Sequence, residues 1–257
     1  MDLIAAIRFL TVIPIPWGRP QSPQAVGRSQ AYFPLVGLGL GLALVGLDQG
    51  LGRVLADAPR AWLLVLALAA LSGGMHLDGL ADSADGLLGA QGQTPERRLA
   101  IMRDGRVGAY GVLALIAVLS LKWSAVLSLP VGVRAEALLL APCLGRATVV
   151  VGTTAFPYAR RAGLGLAVNQ AARGSTLVVA GAIALGAAGA LLGWGGLVIA
   201  TIVVTATALA VGAWATRRLG GLTGDVYGAL VEVTEVMTLL LVAAGGGRGW
   251  LHALLLG

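Results

Sequence analysis

The sequence predicts an all-α, polytopic integral membrane helix bundle. Three observations carry that prediction. Of the 257 residues, 57% are hydrophobic, only 12% are charged, and mean hydropathy is +0.86. A soluble domain carries about 25% charged residues. Only helices and closed barrels satisfy the backbone within lipid, and a barrel shows short segments of alternating hydrophobicity. Here the apolar runs are continuous and near the roughly 20 residues that a helix needs to cross a bilayer core.

Seven spans follow in order: Tyr32–Leu51, Ala61–Leu80, Gly108–Leu129, Ala135–Phe156, Thr176–Gly193, Leu197–Ala215 and Val226–Gly245. Acids interrupt the second and the seventh. Ahead of them, Met1–Pro16 is apolar but short, and Pro14 and Pro16 stop it. Residues 1–30 are therefore expected to form an interfacial or re-entrant segment. A cleaved signal would need a basic start and a small-residue cleavage site, which are missing. No linker, long charge run or fixed-period repeat divides the chain, so residues 1–257 read as one membrane-embedded catalytic domain.

Charge gives the orientation. The formal balance is +6. With the N-terminus inside, cytoplasmic segments hold Arg8, Arg19, Arg28, Arg97, Arg98, Arg103, Arg106, Arg160, Arg161, Arg173, Arg217 and Arg218, and the other side holds Arg53, Arg60, Arg134 and Arg248. This positive-inside bias predicts an N-in, C-out protein of the cytoplasmic (inner) membrane, with membrane lipid as its surroundings. Nucleic acid is excluded as a partner, because no basic stretch has interleaved aromatics. Cys143 lies in an apolar span and reads as a small core residue. Gly-x-x-x-Gly spacings at Gly37–Gly41 and Gly189–Gly193 suit close helix packing, but nothing decides between a monomer and a homo-oligomer.

The acids carry the chemistry. Seven of the twelve carboxylates crowd two regions. The first reads Gly73-Gly-Met-His-Leu-Asp-Gly-Leu-Ala-Asp-Ser-Ala-Asp-Gly86, followed by Met102-Arg-Asp-Gly-Arg-Val-Gly-Ala-Tyr-Gly111. The second reads Gly224-Asp-Val-Tyr-Gly-Ala-Leu-Val-Glu-Val-Thr-Glu235. Spacings of four and three put Asp78, Asp82 and Asp85 on one helical face. Like charges there repel, and a divalent cation removes the conflict; hard oxygen ligands suit Mg²⁺ or Ca²⁺. Asp225 and Glu232, seven apart, share a face, with Glu235 a turn on. Both regions fall at cytoplasmic ends of spans, so the two acidic faces are expected to meet in one cavity.

Blander readings stand beside these. Asp225 after Gly224 fits a helix cap, Glu232 and Glu235 fit an intramembrane salt bridge with Arg146, and His76 fits a packed core histidine. Arg103 and Arg106 bracket Asp104 in a glycine-rich turn, a combination that grips phosphate. Arg146 lies within a span, where a charge is a functional candidate, and Arg160 and Arg161 follow Pro157-Tyr158. Acids for metal and arginines for phosphate indicate metal-assisted phosphoryl transfer on a nucleoside diphosphate. P-loop, GxSxG and Cys/His zinc patterns are missing from the sequence.

The run His76-Leu-Asp-Gly-Leu-Ala-Asp-Ser-Ala-Asp-Gly86, then Met102–Gly111, then Gly224-Asp-Val-Tyr-Gly-Ala with Glu232 and Glu235, closely resembles the cobalamin synthase family, the adenosylcobinamide-GDP ribazoletransferases. Softer matches are Phe9-Leu-Thr-Val-Ile-Pro-Ile-Pro16, Phe33-Pro-Leu-Val-Gly37, Gly145-Arg146 and Phe156-Pro-Tyr-Ala-Arg160, so the resemblance runs nearly the whole chain. Ser83, Gly105 and Tyr110 depart from it without removing a charge. The resemblance implies that adenosylcobinamide-GDP is joined to α-ribazole, or its 5′-phosphate, with release of GMP and with Mg²⁺. On that reading Asp78, Asp82, Asp85 and Asp225 hold metal. His76, Arg103, Arg106, Arg146 and Arg160 bind substrate, and one of Asp104, Glu232 and Glu235 takes the ribose proton. Two other readings are a CDP-alcohol-type lipid phosphotransferase and a cation-coupled transporter. The first wants Arg where Asp82 stands, and the second wants inverted repeats.

Overall fold

The computed structural model describes residues 2–16 and 22–248, and every regular element among them is helical. In order these are α1 (Asp2–Leu10), α2 (Pro23–Ser29), α3 (Phe33–Leu51), α4 (Asp57–Leu71), α5 (Met75–Ala84), α6 (Pro95–Ile101), α7 (Ala109–Leu127), α8 (Val131–Ala155), α9 (Leu164–Ala171), α10 (Gly174–Leu219) and α11 (Gly224–Arg248). Arg19 and the end of the chain, on which part of the expected orientation rests, lie outside the described residues.

The axis of the bundle is α8. Its Leu140, Cys143, Leu144, Arg146 and Val150 are shielded completely, and α3, α10 and α11 pack around it. The Gly37–Gly41 spacing works as expected: a Cβ on Gly41 would stand 2.6 Å from the Leu139 Cα, so α3 lies backbone-close against α8. Outward faces are apolar instead: Leu42, Leu113, Ile116 and Ile202 are each more than half exposed. Such a belt suits hydrocarbon, since soluble monomers rarely expose large contiguous apolar patches. At one end of the bundle Asp48 of α3 clasps Arg134 of α8 at 2.9 Å and Arg60 of α4 at 3.4 Å.

Five helices are long and apolar enough to cross a bilayer, or six if the bent pair α4 and α5 makes one broken span. Two differences separate this from the expected seven. First, Ala61–Leu80 is not one helix. The chain bends by 91° between α4 and α5, at Gly73 (φ +64°) and Gly74 (φ +70°). Two consecutive left-handed residues end any α-helix, and glycine alone adopts them cheaply. The first acidic region therefore sits on a short helix that turns across the bundle. Second, α10 counts once although the expected spans Thr176–Gly193 and Leu197–Ala215 are its two limbs, two helices that meet at a kink at Leu192 and Gly193. Continuous, it would extend about 70 Å at 1.5 Å per residue. It doubles back instead: Leu177, Gly181 and Leu185 line one apolar cavity together with Ala200 and Val204. Gly193 thus makes the turn, and Gly189 faces the returning limb, where a Cβ would stand 3.3 Å from Leu197 Cδ2.

Candidate active site

One crossing brings the acidic regions together. α5 lies against the start of α11 so closely that a Cβ on Gly79 would stand 2.7 Å from the Asp225 carbonyl oxygen. One turn along, a Cβ on Gly228 would stand 3.0 Å from the His76 carbonyl oxygen. Glycine on both helices thus sets the separation. The C-terminal end of α5 is tied down too. There the chain widens into a π-turn (Asp85–Gly89). Carbonyls freed there accept from two arginines: Arg98 donates to Gly86 at 2.9 Å and to Leu87 at 3.1 Å, and Arg218 donates to Leu87 at 2.8 Å. These two arginines, which the sequence offers only as topology charges, cap a helix end.

The crossing opens onto a cavity of about 220 Å³, lined by His76, Asp78 and Gly79 of α5, by Gly224, Asp225 and Tyr227 of α11, and by Gly165 and Val168 of α9. Phe9, Leu10 and Phe33 close its apolar side. The expected meeting of the two acidic faces is present in Asp78 and Asp225. Asp82, one turn beyond Asp78 and half-buried, feels the charges of Asp78, Asp225 and Arg160.

Arg160 reaches this place through a backbone bridge. Leu222 N–H donates to the Pro157 carbonyl and Ala159 N–H to the Leu222 carbonyl, each at 2.8 Å, which pins the loop after α8 to the start of α11. The Arg160 guanidinium then donates to Asp225 Oδ2 at 2.6 Å. Its Nε is buried with no acceptor among the described residues, a donor suited to an anionic oxygen. Thr223, not Asp225, caps α11: its hydroxyl accepts from Val226 N–H at 3.3 Å. The Asp225 carboxylate is thereby released from the capping role that its position suggested.

The remaining residues fall elsewhere. Asp85 does not join Asp78. Its two oxygens accept the N–H groups of Gly108 at 2.7 Å and Gly111 at 2.9 Å, so it satisfies the first turn of α7, whose amides have no helical acceptor. Asp104 and Arg106 pair with each other at 2.7 Å on the exposed loop before α7, and Arg103 is exposed beside them. The Arg106 guanidinium holds the Asp104 carboxyl below the usual carboxylate range, which makes it a weaker base.

Glu232, Glu235 and Arg146 are corrected most sharply. They lie inside the bundle, Arg146 0%, Glu235 1% and Glu232 4% exposed, and none of them lines the cavity. Lys122 of α7 donates to Glu232 at 2.6 Å and to Glu235, which also accepts from Arg146. Arg146 continues to the Ser72 hydroxyl at 2.8 Å and approaches His76 Nδ1 at 3.4 Å. Two acids and two bases make a neutral buried quartet, and His76 joins it to the cavity wall. Neither glutamate is placed to accept a substrate proton, and Arg146 is not placed to touch substrate. Sequence reading passed over Lys122, although it is the chain's one lysine and stands inside an apolar span, the signal that should have drawn attention to it.

A divalent cation fits what remains. Among the described residues no three His, Cys, Asp or Glu groups form a ready-made cage. Mg²⁺ seldom uses one: it binds through one or two carboxylates plus substrate phosphates and keeps several waters. Asp78 and Asp82 are hard oxygen donors of that kind beside a cavity whose arginine has a spare donor.

The cobalamin-5-phosphate synthase family matches residues 2–243 of the chain. The chain is 44% identical over 234 residues to the adenosylcobinamide-GDP ribazoletransferase of Roseiflexus sp. (strain RS-1), covering 91% of this chain and 86% of that one. It is 40% identical over 243 residues to the protein of the same name from Geotalea daltonii (95% and 97% covered). To that from Stutzerimonas stutzeri it is 42% identical over 254 residues (96% and 100% covered). No solved structure matches it. A match of that length, running through both acidic regions and the helices that bring them together, makes the chain a member of the cobalamin-5-phosphate synthase family.

Proposed function

We propose that the chain joins adenosylcobinamide-GDP to α-ribazole, or to its 5′-phosphate, and releases GMP, at a site opening to the cytoplasm. The observation that carries this reading is the α5–α11 crossing, which sets Asp78 and Asp225 into one cavity with Arg160 beside them. A ribose hydroxyl oxygen of the ribazole forms a bond to the phosphorus on the cobinamide side of the diphosphate. The bond to the GMP oxygen breaks, GMP leaves with the electron pair, and a phosphodiester remains.

Asp78 and Asp82 would hold Mg²⁺ together with diphosphate oxygens, and Mg²⁺ would offset charge on the leaving phosphate. Arg160, held in place by Asp225, offers its spare donor to a phosphate oxygen. Transfer of this kind depends mainly on positioning and charge neutralisation through a loose transition state. The attacking hydroxyl then keeps its proton until late, and water can take it. That removes the need for Asp104, Glu232 or Glu235 as base. A CDP-alcohol-type reaction is disfavoured, because Asp82 stands where that pattern needs arginine. Purified protein given Mg²⁺, adenosylcobinamide-GDP and α-ribazole should release GMP and form the joined corrinoid; no GMP above a protein-free control would sink the reading.

The crossing itself is testable. Gly79→Val places branched carbon against the Asp225 backbone and pushes α5 from α11. Misplacement by about 1 Å costs on the order of a hundredfold in rate. GMP release should fall by about that factor in protein that still inserts and elutes as wild type. Wild-type turnover would mean that this contact does not set the site.

The orientation belongs to the same proposal: N-terminus in, C-terminus out, with α10 crossing twice. Reporter fusions after Leu88 and after Gly257 should lie on opposite sides of the membrane. Fusions on the same side contradict an odd number of crossings.

A further inference from the structure

A second cavity, about 590 Å³ and larger than the first, lies on the other side of α9. That helix is a partition between them. Gly165 and Val168 line the first cavity, while Ala167, Gln170 and Ala171 line the second. The second is bounded also by Arg28 and Tyr32 from the α2–α3 segment and by Arg173, Ser175 and Thr176 at the start of α10.

Charge distinguishes this basin from the apolar cavities of the bundle. Two arginines line it against one acid, Asp2. Among the described residues neither arginine is in an ion pair or a side-chain hydrogen bond, and neither is Asp2. Among those residues, both guanidiniums thus keep their donors unclaimed. The first amides of α10, at Gly174, Ser175 and Thr176, have no acceptor in the preceding turns of a helix, and the helix dipole makes that end positive. Val179 and Ala31 add an apolar patch for a ring or chain. A basin of this size takes an organic molecule rather than a bare ion.

We propose that this basin binds the phosphate group of an organic phosphate ester, with Arg28 and Arg173 as its charged donors. Two sources share that chemistry: α-ribazole 5′-phosphate, for which the inference rests on the proposed reaction, and the headgroup of an anionic phospholipid, for which it does not.

The full chain in phosphatidylcholine nanodiscs, with R28Q, R173Q, the double variant and the distant exposed control R53Q, separates these sources. Direct binding of α-ribazole 5′-phosphate and of unphosphorylated α-ribazole is measured without turnover. Thermal stabilisation is measured when phosphatidylglycerol replaces part of the phosphatidylcholine. We expect the double variant to lose at least tenfold in affinity for one phosphate source, each single variant to lose part of that, and R53Q to match wild type. A loss confined to α-ribazole 5′-phosphate, with α-ribazole unchanged, assigns the basin to the substrate phosphate. A loss confined to phosphatidylglycerol assigns it to the headgroup. If wild type binds neither, or if the arginine variants bind both as wild type does, the proposal is overturned. Absent GMP release with binding intact would count against the proposed reaction alone.

Discussion

Asp82→Asn should reduce GMP release by about a thousandfold or more while the protein still inserts. Removing a ligand of a bound cation forfeits several kcal/mol of charge stabilisation, and each 1.36 kcal/mol is a tenfold change in rate. The neighbouring charges of Asp78 and Asp225 repel Asp82 when no cation is present, so neutralising it relieves the folded protein rather than straining it. Loss of turnover and unchanged or improved thermal stability should therefore appear together. Wild-type protein in EDTA should show the same loss and regain activity with Mg²⁺. Full turnover of Asp82→Asn, or of wild type without divalent cations, would remove the metal from the account.

The second large effect concerns stability. Lys122→Met should destabilise the protein by about 3–5 kcal/mol, the range for removing one partner of a buried ion pair. The quartet is neutral as it stands, and the substitution leaves Glu232 and Glu235 with Arg146 alone, an unpaired negative charge inside the bundle. Lys122→Met combined with Glu232→Gln restores charge balance, leaving Glu235 with Arg146, so most of the lost stability should return. Thermal unfolding in detergent measures both. A double variant less stable than Lys122→Met would show that charge balance is not what the quartet provides. Because Arg146 also approaches His76, the single variant should lower turnover in whatever protein remains folded.

Much of the fold was legible because single residues announce it. Hydropathy marked each apolar segment, and the gap it left between Thr176–Gly193 and Leu197–Ala215 coincides with the turn inside α10. That the two acidic regions converge was also foreseeable, because like charges at the same end of the bundle need a shared counter-charge, but the expected pair was Asp85 with Asp225 beside Arg103 and Arg106, whereas Asp78 takes that place. What stayed hidden depends on which partner arrives in space. Spacing puts Asp85 on the Asp78 face, but spacing says nothing of α7, whose N-terminal amides claim its oxygens. Glu232 and Glu235 look the same in sequence whether they meet substrate or Lys122, a residue more than a hundred positions away. The bend at Gly73 and Gly74 was missed for a different reason. Hydropathy averages over the turn, whereas two adjacent positive φ angles interrupt the helix regardless of how apolar its flanks are.

The central claim is that Asp78 and Asp225, far apart in the sequence, form one site. A double-mutant cycle on kcat/KM for GMP release tests it most directly. Asp78→Asn and Asp225→Asn should each cost about a hundredfold or more, and residues acting as a unit give losses that are far from additive in free energy. The account predicts that the double variant is little worse than the poorer of the two single variants. Losses that multiply would place the two carboxylates in independent roles and contradict a shared site.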